Sequence, residues 1–151
     1  MQKIDKILVG THNKGKFIEM SDLLPKKIKK ILKYTKKYKD IKNSKMAFID
    51  EGSGDTFLFL HGNPTSSFLW RNIAPHVEDI GRIVIPDLIG MGDSDKLEGV
   101  DNPGYKYHGQ YSYLTALMDE LDLGNNIHLI IHDWGSAMGF QFARENKDRI
   151  K

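Results

Sequence analysis

The chain has 151 residues, of which 40% are hydrophobic and 28% charged, ordinary proportions for a globular protein of about one domain. That composition excludes a collagen-like or wholly disordered chain, and the absence of cysteine excludes a disulfide framework and thiol or cysteine–zinc chemistry. The net charge of +2 conceals a division: residues 1–46 hold 14 of the 22 Lys and Arg and 4 of the 20 Asp and Glu, a net of +10, whereas residues 47–151 carry a net of −8. A split this sharp points to two segments of different origin or role. No apolar run reaches the roughly 20 residues needed to span a bilayer. The apolar stretch after the first six residues is too short for a secretory signal, so the expectation is a cytoplasmic protein.

In chain order, residues 4–9 read as a short buried strand closed by Gly10. Residues 16–24 have helical spacing, with Phe17, Met20, Leu23 and Leu24 on one face and Pro25 as the stop. A lysine-rich stretch over 26–45 comes next, whose rear part together with residues up to 51 reads as a hairpin turning at Asn43-Ser44. From Thr56 the pattern becomes strand, loop, helix, repeated. Residues 56–60 form a short continuous apolar run, typical of a strand covered on both faces, and 82–85 read as a second buried strand ended by Pro86. Residues 66–76 predict a short helix, and 87–107, rich in Gly, Asp and Pro, predict loops. An amphipathic helix is predicted over 111–121 with Leu114, Leu117, Met118 and Leu121 inward, stopped by Gly124-Asn125-Asn126. A third buried strand over 127–131 and a helix over 136–144 complete the series. Alternation of this kind predicts an α/β fold, a parallel sheet covered by helices.

Chemistry in such folds gathers beyond the carboxyl ends of the strands. The three loops there read His61-Gly62-Asn63-Pro64-Thr65-Ser66-Ser67, Asp87-Leu88-Ile89-Gly90-Met91-Gly92-Asp93-Ser94 and His132-Asp133-Trp134-Gly135-Ser136. In the third, a polar residue stands between strand and helix with small residues just after it, the layout of a nucleophile elbow. Asp133 takes the place of the usual serine, and Ile131 stands where the general pattern has glycine. Carboxylates are ionised near neutral pH, need no base to attack, and can form a covalent ester with an sp³ carbon. Taken alone, Asp133 reads more readily as a helix N-cap. Asn63 alone reads as a turn residue before proline, and Trp134 as a core aromatic. Asp87, Asp93 and Asp95 resemble a carboxylate cluster, but such residues more often cap turns, and no metal is implied.

Residues 37–151 resemble the N-terminal half of a haloalkane dehalogenase of the α/β-hydrolase superfamily. The resemblance is carried by Lys45-Met46-Ala47-Phe48-Ile49-Asp50-Glu51-Gly52 and by the stretches 61–71, 86–95 and 121–137. It implies Asp133 as the nucleophile. It implies Asn63 and Trp134 as the pair whose side-chain N–H groups hold the departing halide and whose backbone N–H groups form the oxyanion hole. His61 and Gly62 take supporting roles, and His132 is a neighbour of the nucleophile and not the base. No cofactor is implied. The implied partner is a small apolar halogenated substrate, with no nucleic acid and no membrane. Epoxide hydrolases share the His-Gly-x-Pro loop and the aspartate but usually carry an aromatic at the position of Asn63. Coelenterazine-type luciferases share the scaffold.

The family pattern continues past the nucleophile helix with a triad carboxylate, a helical cap and a late histidine, none of which matches a residue here. The expectation is therefore an incomplete α/β-hydrolase fold without its cap domain, truncated and inactive as it stands, with strand 127–131 as an exposed edge open to self-association. Residues 5–30 resemble the start of non-canonical purine nucleoside triphosphate pyrophosphatases, through Thr11, Asn13, Lys16 and Glu19. The resulting division is a basic head over 1–36 and a hydrolase core over 37–151. The rival readings are a pyrophosphatase fragment, an epoxide hydrolase-like or other α/β-hydrolase, and a non-catalytic remnant.

Overall fold

A computed structural model of the chain describes residues 34–151. The strand over 4–9, the helix over 16–24 and the nucleotide-site residues Thr11, Asn13, Lys16 and Glu19 lie outside the described residues. The chain divides into two units, Met1–Thr35 and Lys36–Lys151, of which the second contains the sheet and its helices.

Among the described residues, five strands form one mixed sheet: β1 (Lys37–Ile41), β2 (Ser44–Glu51), β3 (Thr56–Leu60), β4 (Arg82–Pro86) and β5 (Ile127–Ile131), in the order β1-β2-β4-β3-β5. β1 and β2 are antiparallel to their neighbours; β3, β4 and β5 run parallel. The hairpin turns one residue earlier than its sequence suggests. Ser44 pairs with Ile41, so Lys42 and Asn43 form the two-residue loop, both at positive φ (50° and 64°). That conformation matches the twist of a tight hairpin, and Asn adopts it readily. The outer strand β1 carries Lys37 and Lys39 in exposed positions, where charge discourages pairing with another chain.

Register fixes which residues share a face. Val84 stands beside Leu58 and Leu58 beside Leu129, and this face joins Leu60 to Leu114 and Met118 of α1 (Tyr107–Leu121) and to Met138 and Phe142 of α2 (Trp134–Glu145). On the other face Phe59 packs against Trp70 of a 3₁₀ turn, Ser67–Asn72, which a second turn, Ala74–His76, continues. Both faces of β3 are therefore covered, which is why Thr-Phe-Leu-Phe-Leu has no polar alternation. Arg82 closes the lower end: it forks onto Asp50 at 2.7 and 3.1 Å and donates to the Leu121 and Asp122 carbonyls that α1 leaves open.

β5 corrects one expectation. Only Ile127 is fully buried, while residues 128–131 are half-exposed. β3 covers one side of the strand; on the other, Ile150 pairs with Ile127 in parallel and Lys151 donates to the Ile127 carbonyl at 3.0 Å.

Strand order also explains where a crevice opens. The chain leaves β3 over the Trp70 face toward β4, and leaves β5 through α2 over the opposite face toward Ile150. Two neighbouring parallel strands whose exits diverge in this way leave a gap between their carboxyl ends, the usual ligand position in open α/β sheets.

Candidate active site

Asp133 sits at that gap, directly between β5 and α2. Its backbone is at φ 54° and ψ −125°, a conformation disfavoured for a side chain bearing Cβ. The surroundings hold it there. Gly135 lies so close to β3 that a Cβ would stand 2.2 Å from the Leu60 carbonyl oxygen, and one on Gly139 would stand 2.7 Å from Ile131 Cγ2. The two glycines, one turn apart, seat α2 directly on the ends of β3 and β5. The Ser136 amide closes the turn by donating to the Asp133 carbonyl at 2.8 Å.

The side chain of Asp133 is exposed, and its Oδ2 accepts from the Trp134 amide at 2.5 Å and from the Asn63 amide at 3.3 Å. A helix N-cap takes its bond from the second or third residue of the helix. Here the donors are the first residue of the helix and a residue of another loop, so capping does not describe the geometry. Two convergent backbone N–H groups at the positive end of a helix dipole form a cradle for a negative oxygen. Gly62 makes the approach possible, because a Cβ there would lie 2.4 Å from Asp133 Cβ and 2.5 Å from its Oδ2. Asn63 is exposed and Trp134 half-buried.

His61 is fully buried beneath this loop. Its Nε2 accepts from the Leu88 amide at 3.0 Å, which puts the proton on Nδ1, from which the ring donates to the Gly62 carbonyl at 2.9 Å. Burial holds the imidazole below its ordinary pKa, against the opposing pull of the Gly62 carbonyl and Asp87. His132 is exposed beside Asp133. Among the described residues neither histidine is hydrogen-bonded to the Asp133 carboxylate.

Asp87 is the part of the site that sequence reading understates. Its carboxylate is 0% exposed and accepts from the amides of Ser67 at 2.7 Å and Asp93 at 2.9 Å, as a turn-capping aspartate can. It also pairs with the Lys36 ammonium, which is 21% exposed and reaches Asp93 Oδ2 at 2.8 Å. Burial alone would push the Asp87 carboxyl up; the Lys36 charge and the three hydrogen bonds more than reverse this and hold it below the usual range. Burial likewise disfavours the Lys36 cation, and Asp87 overcomes it, so the lysine is held above its usual value. The loop bearing Asn63 is thus pinned at both ends, through His61 to Leu88 and through Ser67 to Asp87. Asp95 serves separately, accepting from the Lys45 amide at 2.6 Å. Its setting in a lysine run hides Lys36, and only a strand end placed beside it could single it out.

A family model described as the alpha/beta hydrolase fold matches residues 55–151. The chain is 54% identical over 116 residues to a haloalkane dehalogenase of Sphingobium indicum, a match covering 77% of this chain and 39% of that protein. It is 53% identical over 113 residues to a haloalkane dehalogenase of Mycolicibacterium smegmatis, covering 75% and 36% respectively. The chain therefore spans little more than a third of the length of these relatives. Among solved structures it is similar to DBJA (TM-score 0.70, 34% identity, covering 78% of this chain and 38% of that one). It is also similar to the epoxide hydrolase CorEH without ligand (TM-score 0.66, 31% identity, covering 77% and 39%). With the divergent exits of β3 and β5, the strained residue between β5 and α2 and these matches, the chain belongs to the α/β-hydrolase fold family.

Proposed function

We propose that residues 37–151 carry the nucleophile half of a haloalkane dehalogenase-type site, with Asp133 as nucleophile and small apolar haloalkanes as the substrate class. The observation that carries this reading is the seating of Asp133 Oδ2 between the Asn63 and Trp134 amides, at 3.3 and 2.5 Å. With Oδ2 held there, Oδ1 is the attacking atom. It displaces the halogen from carbon, the C–halogen electron pair leaves with the halide, and an alkyl ester forms on Asp133. The Asn63 amide group and the Trp134 indole N–H are the donors assigned to the departing halide. Water adding to the ester carbonyl would place the oxyanion at Oδ2, where the two backbone N–H groups already converge.

That second step needs a base. Among the described residues no histidine or second carboxylate is hydrogen-bonded to Asp133. These residues therefore support alkylation and not turnover. Mass spectrometry after incubation with a 1-bromoalkane tests this. An adduct on Asp133, absent from Asp133→Asn, with no more than one equivalent of bromide released per chain, is the expected result. Labelling spread evenly over surface carboxylates, or bromide released catalytically, overturns it. The likeness to an epoxide hydrolase makes a terminal epoxide the control reagent, and preferential labelling by it would move the reading to that chemistry.

A further inference from the structure

We propose that Tyr107 is a positioning residue for Trp134, setting the orientation of the indole assigned to the halide. The inference rests on that halide assignment. Tyr107 is the first residue of α1, and its ring meets the Trp134 ring edge-on, with centroids 6.3 Å apart and planes at 62°. That is the favourable arrangement for two aromatic quadrupoles. The far end of the tyrosine is fixed as well: its hydroxyl donates to Gln141 Oε1 at 2.8 Å. Gln141 in turn donates through Nε2 to Glu145 Oε1 at 2.9 Å, and Glu145 Oε2 accepts from the Tyr111 hydroxyl at 2.5 Å. Tyr111 lies one turn along α1 with its ring parallel to that of Tyr107.

Trp134 and Gln141 are seven residues apart, two turns along the same side of α2. Tyr107 spans those two turns, gripping the indole at one end and the anchored amide at the other. The four polar groups form one continuous chain of bonds, so the tyrosine ring has a single supported position. The half-buried indole also packs against the core that includes Leu60 and Met138, and Tyr107 adds the ring contact that is itself tethered; without it the indole has fewer restraints on its side-chain torsions, and its N–H would point at an anion less of the time. No local pattern selects Tyr107: the residue precedes the periodic apolar positions of its helix, and its partner lies 27 residues further on.

Bromide quenching of tryptophan fluorescence in the full chain tests this, at constant ionic strength made up with sulfate. The chain has two tryptophans, and Trp70 is buried, so a saturable component reports Trp134. The expected result has three parts. The unaltered chain saturates, and Asn63→Ala loses saturation. Tyr107→Leu, which removes the ring, weakens bromide about tenfold, while Tyr107→Phe, which removes only the hydroxyl tether, weakens it about threefold. Tyr107→Phe keeps the ring and decides the matter if Tyr107→Leu does not fold. Saturation in the unaltered chain, lost in Asn63→Ala but unchanged in the folded Tyr107 variants, overturns the positioning role alone. Absence of any saturable quenching in the unaltered chain overturns the halide reading and this inference together.

Discussion

Replacing Lys36 with methionine removes the charge opposite Asp87 and keeps most of the side-chain volume. The carboxylate is 0% exposed and retains its bonds from the Ser67 and Asp93 amides, but it loses its counter-ion. Breaking a buried pair from one side typically costs about 3–5 kcal/mol. Because Lys36 is 21% exposed, water can reach the vacated position, and we expect the lower end, about 3 kcal/mol. That corresponds to a fall in Tm on the order of 10 °C for a chain of this size. The pH dependence carries the diagnostic sign. In the unaltered chain the Asp87 carboxyl is held low, so its stabilisation is present above the ordinary carboxylate pKa and is lost as pH falls below about 4. The Lys36 cation is held high, so its contribution is complete below the ordinary lysine value and is lost only as pH rises above it. In Lys36→Met, burial becomes the governing influence on Asp87, and protonation relieves the site. The difference in stability between the two proteins is therefore largest near neutrality and shrinks toward pH 4. Asp87→Asn should also destabilise, since its amide cannot accept from both Ser67 and Asp93. The double variant should cost less than the sum of the two single losses. Thermal melts across pH 4 to 9 measure all four proteins. Additive losses, or a pH-independent difference, would refute the idea that this pair is a coupled, buried ion pair.

Two further perturbations report on the same end of the sheet. Gly62→Ala places a methyl 2.4 Å from Asp133 Cβ, so the carboxylate must leave its cradle; alkylation of Asp133 by a bromoalkane should fall at least tenfold while the melt changes little, and retention of the rate would show that the seating is immaterial. Along β5, residues 128–131 are half-exposed, and size-exclusion chromatography should show concentration-dependent association that an Ile130→Lys change reduces; a monodisperse monomer over a hundredfold concentration range would count against an adhesive edge.

Much of the fold is legible because each strand is bounded by residues that cannot continue it. The run over 56–60 ends at a histidine and a glycine and that over 127–131 begins after Gly124-Asn125-Asn126, and both stand at those places; the strand read over 82–85 reaches one residue further, with Pro86 as its last. The helices are less legible at their starts. α1 begins at Tyr107 and not at 111, through a first turn containing Gly109, because a Cβ there would stand 2.2 Å from the Pro103 carbonyl oxygen. A glycine required by a neighbouring turn looks, in sequence, like a helix breaker. α2 begins at Trp134 because the strained residue before it already completes the turn out of β5.

The site divides along the same line. Asp133 and Trp134 are adjacent in sequence, and their place between an apolar run and small residues marks them as a unit. Asn63 joins them only because β5 lies beside β3 and not beside β4, and no local pattern states a strand order. The supports are further from reach still. Lys36 and Asp87 are 51 positions apart, and one of them is a lysine among lysines. What the sequence exposes most clearly is what a residue's immediate neighbours set: the turn at Asp133, the glycines after it and the adjacent indole. What it conceals is chemistry made by long-range pairing, where a common residue acquires a role from burial and from the charge it meets there. The ion pair beneath the Asn63 loop and the tyrosine against Trp134 are both of this second kind. Each acts on the surroundings of Asp133 without touching it, so substitutions that leave Asp133, Asn63 and Trp134 intact can still alter the geometry those three residues share.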